Sequence, residues 1–140
     1  MNDNSRNPRR NLSRALSQIS NSDVRETLLH QREQPPGNLP RIGITGAPGA
    51  GKSSLIARLA GLRKAHDRKV AVLAIDPSSP VSRGSILGDR IRMDAIADDP
   101  DVFIRSIPSR RAHDGLADNT ADLLNAIEGN GFDEIILETV

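Results

Sequence analysis

Eight consecutive residues, Gly46-Ala47-Pro48-Gly49-Ala50-Gly51-Lys52-Ser53, fill every position of the pattern G-x-x-x-x-G-K-[ST]. Each fixed type in that pattern has a chemical task. The glycines let backbone N–H groups turn inward around an anion, and a helix opening directly afterwards adds the partial positive charge of its N-terminus. Lys52 can reach the β- and γ-phosphates of a nucleoside triphosphate, and the Ser53 hydroxyl can ligate Mg²⁺, with Ser54 completing the loop. Average composition produces such a match by chance in roughly one chain of this length in two hundred. An ordinary glycine-rich strand-to-helix turn is therefore the weaker reading.

Three acids are candidates to work beside this loop. Asp76 ends an apolar run in Ala74-Ile75-Asp76-Pro77-Ser78-Ser79-Pro80, where it can hold a Mg²⁺-bound water or accept a proton. An Asp in that place also suits a turn cap before Pro-Ser-Ser. Glu138 follows Ile135-Ile136-Leu137 and has the position of a Walker B-type acid, or of an edge-exposed Glu. Asp89 lies in the polar, glycine-punctuated stretch 82–90, a kind of loop that often moves with the γ-phosphate, and can join the metal shell. Arg83 and Arg90 in that stretch can offset phosphate charge or stand as solvated surface charges. His30, His66 and His113 share no ligand spacing and read as surface residues.

These residues need elements to hold them. From Arg41 onward the chain alternates strand-like and helix-like segments: strand 41–45, the glycine loop, helix Lys52–Lys64 with Leu55, Ile56, Leu59, Ala60 and Leu62 on one face, and strand 70–75. A helix at 91–97, a strand at 102–104, an amphipathic helix through Leu116, Thr120, Leu123, Leu124 and Ile127 closed by Gly129, and a strand at 134–137 complete the series. The run 70–75 is apolar throughout, as in a strand buried on both faces of a parallel sheet. This is the grammar of an α/β fold with right-handed crossovers. Residues 1–40 differ: Leu12, Ala15, Leu16 and Ile19 fall at helical spacing, a capping box at Asp23-Val24-Arg25-Glu26 opens a second short helix, and Pro35-Pro36-Gly37 with Pro40 makes a linker. The expected division is a helical extension and linker over 1–40 and a nucleotide-binding domain over 41–140. Ligand sites in open α/β sheets gather in loops after the strands. The loop after Val140 is expected to belong to the same domain, which makes the chain an N-terminal piece of it.

Composition narrows the classes. Of 140 residues, 36% are hydrophobic but only two are Phe, with no Tyr or Trp, so aliphatic side chains fill the core and no stacking platform for single-stranded nucleic acid exists. Lys plus Arg number 19 against 18 acids, leaving no net field to draw nucleic acid or an acidic membrane. The absence of cysteine excludes disulfides and thiolate metal sites. No apolar run reaches the roughly 20 residues of a membrane span. A cytoplasmic protein is the expectation.

Together, 42–54, Asp76-Pro77-Ser78-Ser79, Gly84-Ser85-Ile86-Leu87-Gly88-Asp89-Arg90, Phe103-Ile104-Arg105 and Glu138-Thr139-Val140 resemble the MeaB/ArgK-type P-loop GTPases. The resemblance covers about residues 10–140. Its Asp-Pro-Ser-Ser and Gly-Ser-Ile-Leu-Gly-Asp-Arg blocks are far more specific than the phosphate loop. It implies a P-loop NTPase fold with helical extensions and a homodimer that hydrolyses GTP with Mg²⁺. It also implies a chaperone of adenosylcobalamin-dependent methylmalonyl-CoA mutase and related acyl-CoA mutases, gating cofactor delivery and protecting the enzyme. In such proteins the positions of Lys52 and Ser53 bind phosphate and Mg²⁺, and those of Asp76, Asp89 and Glu138 surround the metal and the hydrolysis site. Two departures stand out. The family's Gly-rich stretch after the third strand is reduced to Gly115 in 108–115, and its Gly-x-Gly-Gln switch and Asn-Lys-x-Asp guanine reader fall beyond Val140.

Rival readings are a metal-delivery GTPase, for which the usual Cys or His clusters are lacking, a transport-linked ATPase or kinase, and a non-catalytic nucleotide-dependent interaction module. Competition between GTP and ATP separates the GTPases from the kinase, and turnover separates an enzyme from a module.

Overall fold

The computed structural model describes residues 7–21, 37–76, 96, 99–108 and 119–139. Several expectations lie outside those residues: the second helix of the extension at 23–29, the stretch 82–90 with Arg83, Asp89 and Arg90, and the loop 109–115. Ile96, the one described residue of the expected helix 91–97, is helical.

The described elements are α1 (Pro8–Asn21), β1 (Arg41–Ile44), α2 (Lys52–Lys64), β2 (Val70–Asp76), β3 (Val102–Pro108), α3 (Thr120–Glu128) and β4 (Glu134–Glu138). The four strands form one sheet in the order β1-β4-β2-β3, and every neighbouring pair is parallel. This is the α/β architecture expected from the alternation of segments. The chain's last described strand is thus inserted between its first two. Ile44 pairs with Glu138, and Ala74 pairs with Glu138 from the other side. The Thr139 N–H donates to Ile44 O at 3.0 Å and carries the β1–β4 pairing one step further.

Strand periodicity of two divides the side chains between two cores. Ala71, Leu73, Phe103, Ile107 and Ile135 face α1 and α3, and pack with Leu12, Leu16, Leu123, Leu124 and Ile127. Val70, Val72, Val102 and Ile136 face α2 and pack with Ile56 and Ala60. The helices therefore cover both faces of the sheet, which is why β2 can be apolar at every position from Val70 to Ile75. The chain's two aromatic rings, Phe103 and Phe132, meet tilted with centroids 5.7 Å apart.

Helix α1 packs on the sheet through Leu12 and Leu16. Polar contacts fix it at intervals along its length. Arg9 donates to the carbonyls of Asp99 and Val102 at 3.1 Å each and also to that of Pro100. Arg105 donates to Ser17 Oγ at 2.6 Å, and Asn119 donates to the carbonyl of Ile19 at 2.6 Å. Arg105 lies on the α1 side of β3, so a polar residue inside the strand is matched by a hydroxyl on the covering helix. The strand runs to Pro108, beyond the expected 102–104, as its ladder with β2 continues to the Asp76–Pro108 pair.

One expectation is corrected. Leu55 and Leu62 do not join Ile56 and Ala60: they are 57% and 58% exposed. Apolar residues ring α2, and the inward line is Ser53, Ile56, Ala60, Arg63 rather than the line through Leu55 and Leu62. Gly129 is the C-cap that closes α3, as expected, with φ of −71°. The left-handed step is taken at Gly131, with φ 78°.

The turn before β3 is tied to α2 by an ion pair between Lys64 and Asp99. The hydrogen bond from Lys64, then that from the Asp101 N–H, holds the Asp99 carboxyl below its ordinary 3.8, and the same bond raises Lys64 above 10.5. A lowered carboxyl stabilises the fold above pH 3.8 and loses that effect as the pH falls through its folded value. A raised ammonium stabilises below pH 10.5 and loses its effect as the pH rises through its folded value. Asp99→Asn should therefore be less stable than wild type across the neutral range. The gap should close on acidification below about pH 3.8 when urea midpoints are followed by circular dichroism. In the same assay Leu16→Ala should cost about 2–5 kcal/mol, because Leu16 is fully buried on the inner face of α1. Leu55→Ala, on the outer face of α2, should stay within about 0.5 kcal/mol.

Candidate functional site

The site is assembled where β1, β4 and the start of α2 converge. β1 ends at Ile44 and delivers the chain into the loop 45–51, and α2 opens at Lys52. Inside the loop the Ala50 N–H donates to Ala47 O at 3.2 Å, closing a tight turn. Gly49 and Gly51 have φ of 78° and 85°, a left-handed conformation that side-chain-bearing residues adopt at a cost. Gly51 is the N-cap of α2 and no side chain caps the helix, so its first N–H groups are left pointing at the loop. Those N–H groups and the helix dipole make the loop a receptor for an anion.

Lys52 is half-buried and turned back over the loop, where its Nζ donates to Gly46 O at 2.7 Å and to Ala47 O at 3.0 Å. The ammonium thus sits at the mouth of the same turn that the backbone N–H groups line. Ser53 is buried on the inner side of α2. Its Oγ donates to Glu138 Oε1 at 3.1 Å, with Oε2 at 3.5 Å. Glu138 is itself 8% exposed, which removes the edge-exposed reading of that acid. The pairing of β4 with β1 puts its carboxylate at the floor of the loop. A hydroxyl and a carboxylate held together in this way are hard oxygen donors suited to Mg²⁺, which takes few protein ligands and completes its shell with water and phosphate oxygens. Among the described residues no group of three or more His, Asp or Glu side chains gathers as a metal cage.

Asp76 ends β2 two residues beyond the Ala74–Glu138 pair. β4 stands between β2 and β1, so Asp76 belongs to the same carboxyl-end rim as Glu138, one strand further from the loop. Asp89 lies outside the described residues. The structure thus brings Gly46, Gly49, Gly51, Lys52, Ser53 and Glu138 together.

One buried polar contact on the α2 side escapes a motif-based reading. Glu134, at the opposite end of β4, is 2% exposed and forms an ion pair with Arg63 Nε at 3.1 Å. The usable signal was present: β4 reads acid-apolar-apolar-apolar-acid, and Arg63 is in helical phase with Ser53, Ile56 and Ala60.

A parallel sheet covered on both faces, with a strand passing through a left-handed glycine loop into a helix, defines a P-loop nucleotide-binding α/β protein. Residues 12–140 match the family model described as methylmalonyl Co-A mutase-associated GTPase MeaB. The chain belongs to this family. It is 45% identical over 104 residues to GTPase ArgK of Escherichia coli, covering 74% of this chain and 31% of the relative. A protein of Pyrococcus abyssi is 41% identical over 133 residues, covering 94% of this chain and 41% of its own. The mitochondrial methylmalonic aciduria type A homolog of Caenorhabditis elegans is 43% identical over 101 residues, with 71% and 25% covered. The chain thus spans less than half the length of these relatives.

The glycine geometry yields a direct test. A Cβ built on Gly51 meets nothing within 4 Å, so only the backbone conformation resists a side chain there. Gly51→Ala should cost about 1–2 kcal/mol in urea unfolding. Gly43→Ala, equally open and without a left-handed φ, should show no comparable loss.

Proposed function

We propose that the chain carries the phosphate- and metal-binding half of a GTP-hydrolysing protein that assists an adenosylcobalamin-dependent acyl-CoA mutase of the methylmalonyl-CoA type. The observation that carries this reading is the buried bond from Ser53 to Glu138 at the base of the glycine loop. It joins the motif's hydroxyl to an acid that only the fold brings near. Family membership and the relatives named as GTPases support GTP as the nucleotide and hydrolysis as the reaction. The family's description supports the mutase as partner. In this reading residues 1–40 are a helical extension and linker, residues 41–140 belong to the GTPase domain, and the protein works as a cytoplasmic homodimer.

In this reading the residues take the roles that the loop geometry and the family resemblance support. The loop 46–51 and the first N–H groups of α2 take the phosphate oxygens, and Lys52 swings from the Gly46 and Ala47 carbonyls to the β- and γ-phosphates. Ser53 and Glu138 offer the oxygens of a Mg²⁺ site, with Asp76 and Asp89 contributing through water or directly. Bound Mg²⁺ would neutralise charge on the phosphates as the γ-phosphoryl group is transferred to water. Lys52, a point charge aimed at the same group, acts in the same sense.

The deciding experiment is calorimetric titration of the purified protein with GTP and with ATP in Mg²⁺. The whole protein, of which residues 1–140 are in this reading the phosphate- and metal-binding half, should bind GTP in preference to ATP. Lys52→Ala should lose triphosphate binding while keeping its circular dichroism spectrum. Wild-type affinity in that variant overturns the phosphate-loop assignment, and a preference for ATP overturns the GTPase reading in favour of the kinase or transport ATPase.

A further inference from the structure

Helix α2 meets β4 through one line of side chains with a polar contact at each end. Ser53 bonds Glu138 at the loop end, Ile56 and Ala60 pack with Ile136 in the middle, and Arg63 pairs with Glu134 at the far end. On a helix of 3.6 residues per turn, Ser53, Ile56, Ala60 and Arg63 fall within a wedge of roughly 80°. The spacings also agree. Ser53 and Arg63 are about 15 Å apart along the helix axis. Glu134 and Glu138 are about 13 Å apart along the strand. Helix and strand therefore run antiparallel with their two polar pairs in register.

We propose that Arg63 and Glu134 are positioning residues for the metal site, setting the slide and rotation of α2 on β4 so that Ser53 Oγ meets Glu138. The proposal rests on the phosphate-and-metal reading of the Ser53–Glu138 pair. The physical ground is that the apolar middle cannot supply this precision. Ile56, Ala60 and Ile136 make apolar contacts that neighbouring offsets of the helix satisfy about equally, and Ala60 is small enough for the helix to slide across it. A charge pair loses attraction as its charges separate, and Glu134 is buried, while the Arg63 side chain is 42% exposed and partly screened by water. The Arg63 Nε and Glu134 Oε1 atoms are both buried and lie 3.1 Å apart without the alignment of a hydrogen bond. Their attraction is therefore Coulombic, and it holds the far end of α2 against β4 while the loop end is left to the hydroxyl–carboxylate bond.

The test compares Arg63→Lys, Arg63→Met, Glu134→Gln and the apolar pair Arg63→Met/Glu134→Leu, each confirmed as folded by circular dichroism. The first readout is the Mg²⁺ concentration at half-maximal GTP binding. It should rise about tenfold in Arg63→Met and Glu134→Gln, the low end of what outer-shell partners cost a metal site. Arg63→Lys, which keeps the charge, should recover most of it. The apolar pair should regain thermal stability without regaining the Mg²⁺ midpoint, which separates positioning from mere support of the fold. In a Ser53→Ala background Glu134→Gln should add nothing, because its effect passes through Ser53. The second readout needs no nucleotide: the ¹³C carboxyl resonance of Glu138 in the free protein should move in Arg63→Met and Glu134→Gln and hold in Arg63→Lys. Wild-type midpoints and an unmoved Glu138 resonance in folded Arg63→Met and Glu134→Gln overturn the proposal, as does an undiminished effect in the Ser53→Ala background. A wild-type protein that binds no triphosphate at any Mg²⁺ concentration overturns the phosphate reading instead, and the Glu138 resonance then decides the positioning by itself.

Discussion

The parallel insertion of β4 between β1 and β2 is the constraint on which the remainder of the molecule depends. It places the last described strand, some ninety residues away in sequence, directly beside the strand that enters the glycine loop. Its register fixes which residue reaches the loop: Glu138 stands opposite Ile44, the last residue of β1. A shift of one residue would send Glu138 to the opposite face of the sheet, toward α1 and α3, and bring an apolar Leu137 under Ser53. Register is held by the burial of Ile135 and Ile136 on opposite faces, so the same apolar contacts that stabilise the sheet also choose the acid that enters the site.

Burial on both faces makes this register strict. The α1–α3 side is built from contacts distant in sequence, with α1 fastened by Arg9, Ser17 and Ile19 to the turn before β3, to β3 itself and to the start of α3. Among the described residues the α2 side is the smaller and rests mainly on that helix, with Ile96 packed against its cluster. Its inner line carries both apolar and polar side chains, so a single helix both covers the sheet and supplies a functional hydroxyl. The lever arms differ accordingly: α1 determines whether the sheet is covered, whereas α2 determines how Ser53 is presented.

Much of this was legible in the residues. The bounds of α2, the apolar β2 and the loop between β1 and α2 followed from glycine placement and periodicity, because those signals are local. Glu138 could be singled out as an acid at the end of an apolar strand, but its burial against Ser53 required knowing the strand order. The orientation of α2 was misjudged at Leu55 and Leu62 because apolar residues occur all round that helix. The full length of β3 is not legible locally, because Arg105 and Ser106 look like a strand's end and only the pairing with β2 carries the strand through them. Arg9 and its carbonyl acceptors lie about ninety positions apart, and no pattern within either segment points to the other. The division of the chain near residue 40 stands on composition, while α1 shares its hydrophobic core with the sheet.

Lys52, folded onto the carbonyls of Gly46 and Ala47, gives the loop an internal competitor. An incoming anion meets a cation that is already solvated by the protein itself, so the observed dissociation constant is the intrinsic one divided by the fraction of loops whose ammonium is free. That cost is the same for every ligand, and what varies with the ligand's charge is the intrinsic affinity set against it. Two neutral carbonyls hold an ammonium less strongly than an ionised acceptor does. A monoanion with little charge per oxygen gains little from the exchange, and a polyphosphate gains much. The resting geometry of one side chain thus sets a threshold that only anions dense in charge clear, before any contact with the base is made.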